Sequence, residues 1–132
     1  MEDDEDDQFL LKHSFQQLDI PNPIRFFANG ETALEYLHTT SEQPFLILCD
    51  INMPRLNGIE LRRQINASAY LRKKAVPFVF LTTSANPEMV REAYDERVQG
   101  FYQKAATITR LQQQLKQIIE YWQGCLHPNS FD

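Results

Sequence analysis

A chain of 132 residues with 42% hydrophobic and 11% aromatic content has the length of one domain and enough apolar material to bury a core. Its net charge of −5 is local, because the first eight residues hold six acids (Glu2, Asp3, Asp4, Glu5, Asp6 and Asp7) and no base, while the rest of the chain is close to neutral. The longest apolar stretch is only Val76 to Leu81, the start is acidic and there is no basic stripe. No membrane span, secretory leader or nucleic-acid surface is therefore expected, whereas a cytoplasmic protein is.

Leu11, Phe15 and Leu18 recur at helical spacing, which predicts a helix over residues 5–18 that Pro21-Asn22-Pro23 stops. Ile24 to Ala28 reads as a strand closed by an Asn29-Gly30 turn, and Glu31 to Thr39 as a helix with Leu34 and Leu37 inward. Phe45 to Cys49 is continuously apolar, the pattern of a strand buried on both faces, with Cys49 as a small buried hydrophobe. A helix over Gly58 to Ala67 follows, then a second buried strand, Phe78 to Leu81, opened by Pro77. Asn86-Pro87 has the form of an N-cap with proline at N1 and starts a helix reaching about Arg97. Gly100 to Gln103 is a fourth short strand, and from Thr107 a long closing helix carries Leu111, Leu115, Ile118 and Trp122 on one face. Tyr94 is expected to be buried, and His13, His38 and His127 to lie on the surface. Cys49 and Cys125 have neither metal-ligand spacing nor disulfide density.

Strict alternation of strands and helices predicts an α/β fold with a parallel sheet, helices on both faces and function at the carboxyl ends of the strands. At those ends lie Asp50, then Thr82 with Thr83 and Ser84, and finally Lys104, while Glu2, Asp3 and Asp4 precede the first helix. Clustered carboxylates repel unless a hard divalent cation joins them. With a hydroxyl and an ammonium added, the set suits phosphoryl transfer to a carboxylate. Asp6 and Asp7 are expected to be plain N-terminal charges that suit the helix dipole.

The run Leu48-Cys49-Asp50-Ile51-Asn52-Met53-Pro54-Arg55-Leu56-Asn57-Gly58 resembles the phosphoacceptor segment of response-regulator receiver domains of bacterial two-component signalling. The resemblance spans residues 2 to about 122. It implies a flavodoxin-like (βα)5 doubly wound parallel sheet of order 2-1-3-4-5, with a receiver domain over residues 1–124 and a short tail over 125–132. It implies that Asp50 accepts a phosphoryl group from a sensor histidine kinase or phosphotransfer protein, with Mg2+ as cofactor. Asp3 would ligate the metal directly, or Asp4 if the register shifts by one residue. Glu2 would act as its acidic neighbour and Asn52 would offer its backbone carbonyl. Thr82 and Lys104 would contact the phosphoryl group, and Phe101 would turn inward as Thr82 moves. The output would be altered binding to a downstream protein, with a homodimer also compatible, and the domain would not be an enzyme beyond its own phosphorylation and slow dephosphorylation.

Two departures from the family stand out. Ala105 follows Lys104 where the family usually has proline, often after a cis bond. A non-proline cis bond costs about 2.5–4 kcal/mol, so a trans link and a differently running loop are expected. No strand precedes the first helix, although the family's first strand lies inside the sheet, and residues upstream of Met1 are the expected source of it. Two other readings stay open: a phosphorylation-independent docking module of the same fold, and a small Mg2+-dependent aspartyl phosphatase. The phosphatase reading needs an acid/base carboxylate two residues after the nucleophile, where this chain has Asn52.

Overall fold

The computed structural model describes residues 1–75 and 77–127. In chain order its elements are α1 (Glu5–Leu18), α2 (Gly30–Thr39), β1 (Ile47–Cys49), α3 (Gly58–Asn66), α4 (Ala69–Lys74), β2 (Phe78–Thr82), α5 (Pro87–Asp95), β3 (Gly100–Gln103) and α6 (Ile108–Gly124). Short polar side chains set the helix starts. Asp4, Asn29, Asn57, Ser68, Asn86 and Thr107 each accept a backbone N–H from the first turn of the helix they precede. Asn57 and Glu60 complete a reciprocal capping box at α3. The short helix α4, begun by Ser68, is an addition to the predicted set. Val76, the first residue of the longest apolar stretch, lies outside the described residues. So do residues 128–132 of the expected tail.

The three strands pair in parallel in the order β1-β2-β3, with Cys49 opposite Phe80 and Phe80 opposite Phe101. Alternation of side chains divides the core into two layers. Ile47, Cys49, Phe78 and Phe80 pack with Leu37, Leu61, Ile65, Leu71 and Ala93 from α2, α3, α4 and α5. Leu48, Leu81 and Tyr102 face the other way, toward Leu11 of α1 and Leu111 and Leu115 of α6. Helices therefore cover both faces, as a doubly wound sheet requires. On α6, Leu111, Leu115, Ile118 and Ile119 are buried and Trp122 only half so.

Several expectations need correction. Ile24 to Ala28 forms no strand. What pairs with it is only a two-residue stub: Glu2 N–H donates to the Phe27 carbonyl at 2.8 Å. On the stub's other side, the amino group of Met1 donates to the Leu48 carbonyl at 2.7 Å and Asp50 N–H donates to the Met1 carbonyl at 3.0 Å. Met1 and Glu2 thus bridge Phe27 on one side and Leu48 and Asp50 on the other. A cavity of about 260 Å³ adjoins them, walled by Leu11, Phe15, Ile24, Phe26, Leu48 and Leu81 among others. One ladder bond at Phe27 is too little pairing to make residues 24–28 a strand. Tyr94 is half exposed, because α5 buries only Ala93 fully. His127 is partly buried, its ring stacked on Phe45 and its Nε2 2.8 Å from the Phe45 carbonyl, whereas His13 and His38 are exposed as expected.

Arg62 places a cation deep in the α3 layer. Its guanidinium donates to the carbonyls of Ala75, Glu96 and Arg97 at 3.2, 3.1 and 3.1 Å and lies over the Phe78 ring. Burial lowers its pKa, and the carbonyls rather than a carboxylate solvate it. No helix among the described residues is long and apolar enough to cross a membrane.

Candidate phosphoryl-transfer site

β1 delivers Asp50 to the carboxyl edge of the sheet, where it is 6% exposed. The loop that follows is pinned from below. Met53 and Gly58 N–H groups both donate to the Ile51 carbonyl, while Ile51, Met53 and Leu56 bury their side chains. Glycine is required at 58: a Cβ there would stand 2.5 Å from the Asp50 carbonyl oxygen and 2.8 Å from the Phe80 ring. One carboxylate oxygen of Asp50 accepts the Asn52 N–H at 3.3 Å, which orients the side chain across the loop.

The stub at the start of the chain brings Glu2 beside Asp50. Glu2 is 2% exposed, whereas Asp3 is exposed, and carboxylate oxygens of Glu2, Asp3 and Asp50 all lie within 4.8 Å of one another. Asp4 stands outside that group because its carboxylate caps α1, accepting the Asp7 N–H at 3.0 Å. Of the two registers open in the sequence, the structure brings Asp3 to the cluster. Burial raises the pKa of Glu2, and the charge of Asp50 adds to the rise, while Lys104 opposes it.

β3 ends at Gln103 and presents Lys104, which is buried. Its Nζ lies 2.8 Å from Glu2 Oε2 and 3.3 Å from Asp7 Oδ2. Burial works to lower the pKa of Lys104, but Glu2, Asp7 and Asp50 outweigh it and hold the ammonium above its ordinary value. Asp7 is the residue that sequence reasoning missed. Expected to be a helix-end charge only, it also closes an ion pair with a residue 97 positions away, and no spacing rule reports such a contact. Thr82, at the end of β2, is fully buried and its hydroxyl has no hydrogen-bond partner among the described residues. Its carbonyl takes the Lys104 N–H at 2.7 Å, which locks the two strand ends together. Phe101 is half buried with its ring against Phe80, and Asn52 is exposed.

After Lys104 the chain uses the N–H that a proline would lack. Ala105 N–H donates to Gln114 Oε1 at 2.9 Å, and Gln114 Nε2 returns a bond to the Gln103 carbonyl at 2.8 Å. That pair ties the end of β3 directly to α6.

A match to the family described as response regulator receiver domain covers residues 1–116. The chain is 31% identical over 128 residues to the probable methanogenesis regulatory protein FilR2 of Methanothrix harundinacea, covering 94% of this chain and 81% of that protein. It is 31% identical over 115 residues to the chemotaxis protein CheY of Pseudomonas aeruginosa, with 87% and 89% covered. Among solved structures, the phosphorylated cyanobacterial phytochrome response regulator RcpA superposes with a TM-score of 0.87 at 28% identity, over 97% of this chain and 94% of that one. The Mn2+-bound form of response regulator Rcp1 superposes at 0.82 and 26% identity, over 96% and 93%.

Proposed function

The chain belongs to the response regulator receiver domain family, and from that premise we propose that Asp50 is its phosphoacceptor, within a receiver unit spanning residues 1–124. Receiver domains are the signalling domains of two-component systems and are phosphorylated on an aspartate. The observation that carries the assignment to Asp50 is convergence. Three carboxylates within 4.8 Å, the ammonium of Lys104 and a buried hydroxyl with no partner among the described residues gather where the sheet strands end.

The donor set fits a divalent cation of the Mg2+ class, since it consists of hard oxygens carrying more negative charge than one lysine offsets. Glu2, Asp3 and Asp50 would hold it together with the backbone carbonyl of Asn52, and a Mn2+-bound relative supports that reading. When bound, such an ion neutralises charge on the phosphoryl group and aligns it with the nucleophile. Asp50 supplies a carboxylate oxygen that bonds to phosphorus as the P–N bond of a phosphohistidine breaks, and the released imidazole nitrogen takes up a proton. Lys104 pairs with one phosphoryl oxygen and the Thr82 hydroxyl donates to another, satisfying a donor otherwise orphaned.

Donation by Thr82 moves it toward the phosphoryl group and makes room for the Phe101 ring to turn inward. The surface of β3 and its neighbouring helices then differs between the two states, which a downstream protein can read. The phosphoryl source is a sensor histidine kinase or a phosphotransfer protein, and water later hydrolyses the acyl phosphate.

Intact-mass measurement after incubation with Mg2+ and acetyl phosphate tests the assignment. Wild type gains one phosphoryl group only when Mg2+ is present, and Asp50→Asn gains none. A folded wild type that gains nothing would favour the docking-module reading instead, and phosphorylation of the Asp50→Asn protein would move the acceptor elsewhere.

A further inference from the structure

We infer that Asp7 is a positioning residue that competes with the incoming phosphoryl group for the ammonium of Lys104. The inference rests on the phosphoacceptor reading of the site and adds to it a carboxylate outside the receiver motif.

The geometry sets up a contest for one cation. Lys104, 5% exposed at its side chain, points its Nζ at Glu2 (3% exposed) and at Asp7 (27% exposed). An ammonium has three N–H donors, and two of them are directed at carboxylates before any phosphoryl oxygen arrives. The two carboxylates are not equivalent. Glu2 shares the cluster with Asp3 and Asp50, so a cation held there draws it away from Lys104. Asp7 lies outside that cluster and keeps its hold whatever the cluster binds. It is also delivered by a rigid element, since its own N–H is fixed by the Asp4 cap and α1 packs against α6.

The same placement determines the direction of the effect. A carboxylate paired with Lys104 repels an anionic donor and occupies an N–H that a phosphoryl oxygen needs. Being the more exposed of the two partners, Asp7 can be solvated when it yields, so it raises the donor concentration required without blocking the reaction. The plain alternative is that Asp7 only complements the dipole of α1. That role would shift helix stability alike in the free and phosphorylated protein and leave the donor requirement unmoved.

Phosphorylation time courses by intact mass, over a series of acetyl phosphate concentrations at saturating Mg2+, separate the two. Asp7→Asn keeps the size of the side chain and removes its charge. It should lower the half-saturating donor concentration about two- to fivefold, the range of a partly exposed ion pair, and change the saturated rate by less than about twofold. Asp7→Glu should return the wild-type value, and added salt should shrink the difference between wild type and Asp7→Asn. Equal half-saturation in wild type and Asp7→Asn, or a change confined to the saturated rate, overturns the inference while the phosphoacceptor reading stands. A wild type that accepts no phosphoryl group overturns both.

Discussion

Cys49 and Asp50 are neighbours in sequence with opposite surroundings. The strand turns Cys49 into the α2–α3 layer, where burial pushes its thiol up to about 12, while Asp50 emerges at the edge. The thiol therefore stays protonated and inert across the physiological range. Alkylation at pH 8 should modify Cys125 in the folded protein and both cysteines in denaturant, and labelling of Cys49 in the native state would contradict the burial. A raised thiol pKa also gives a sign for stability. The contribution is complete below the unfolded value of 9.0 and is lost as pH rises from there toward 12. Urea midpoints measured across that window should fall less steeply for Cys49→Ala than for wild type. At this scale the positions of Asp50, Thr82 and Lys104 at strand ends, and of Glu2 just ahead of α1, were legible from the order of the elements. The choice between Asp3 and Asp4 was not, since it depends on which carboxylate the first turn of α1 takes as its cap. Asp7 was invisible because its partner is distant in sequence and adjacent only in the fold.

Secondary elements report the same division between local and distant causes. Helix starts followed their capping residues closely, with α3 and α5 beginning where Asn57 and Asn86-Pro87 place them. Helix ends were less legible: α5 stops at Asp95 rather than near Arg97, and Arg97 takes a positive φ of 62° so that its carbonyl can meet Arg62. The turn from Asp50 into α3 depends on Gly58. Gly58→Ala would press a methyl group against the Asp50 carbonyl and should cost about 1–3 kcal/mol in chemical denaturation. It should slow phosphorylation as well, because the same carbonyl belongs to Asp50, the proposed acceptor. A variant as stable and as fast as wild type would show that the loop relaxes freely. Where proline is usual in the family, Ala105 spends its N–H on Gln114, which explains in local terms how this chain joins β3 to α6 without it.

The whole molecule is organised by a parallel sheet, β1-β2-β3, with a packed layer of helices on each face. Sequence alternation correctly implied a parallel sheet with helices on both faces. It overestimated Ile24 to Ala28, which forms no strand although the Glu2 N–H donates to the Phe27 carbonyl. Behind the sheet, Arg62 joins α3 to the segments around Ala75 and Glu96–Arg97 by three carbonyl bonds. Replacing it with methionine leaves those acceptors without their donor and should destabilise the fold by about 2–4 kcal/mol in urea titration. A neutral result would mean that water or a shifted side chain takes over the carbonyls. If separate strand ends build one phosphoryl site, a single mimic should report on all of them. 19F NMR of the protein with Mg2+ and beryllium trifluoride, an acyl-phosphate mimic, tests this. Protein-bound fluorine resonances in distinct environments are expected, with the Thr82→Ala and Lys104→Ala variants each altering them and Asp50→Asn abolishing them. Only free fluoroberyllate signals with folded wild-type protein would contradict such a site.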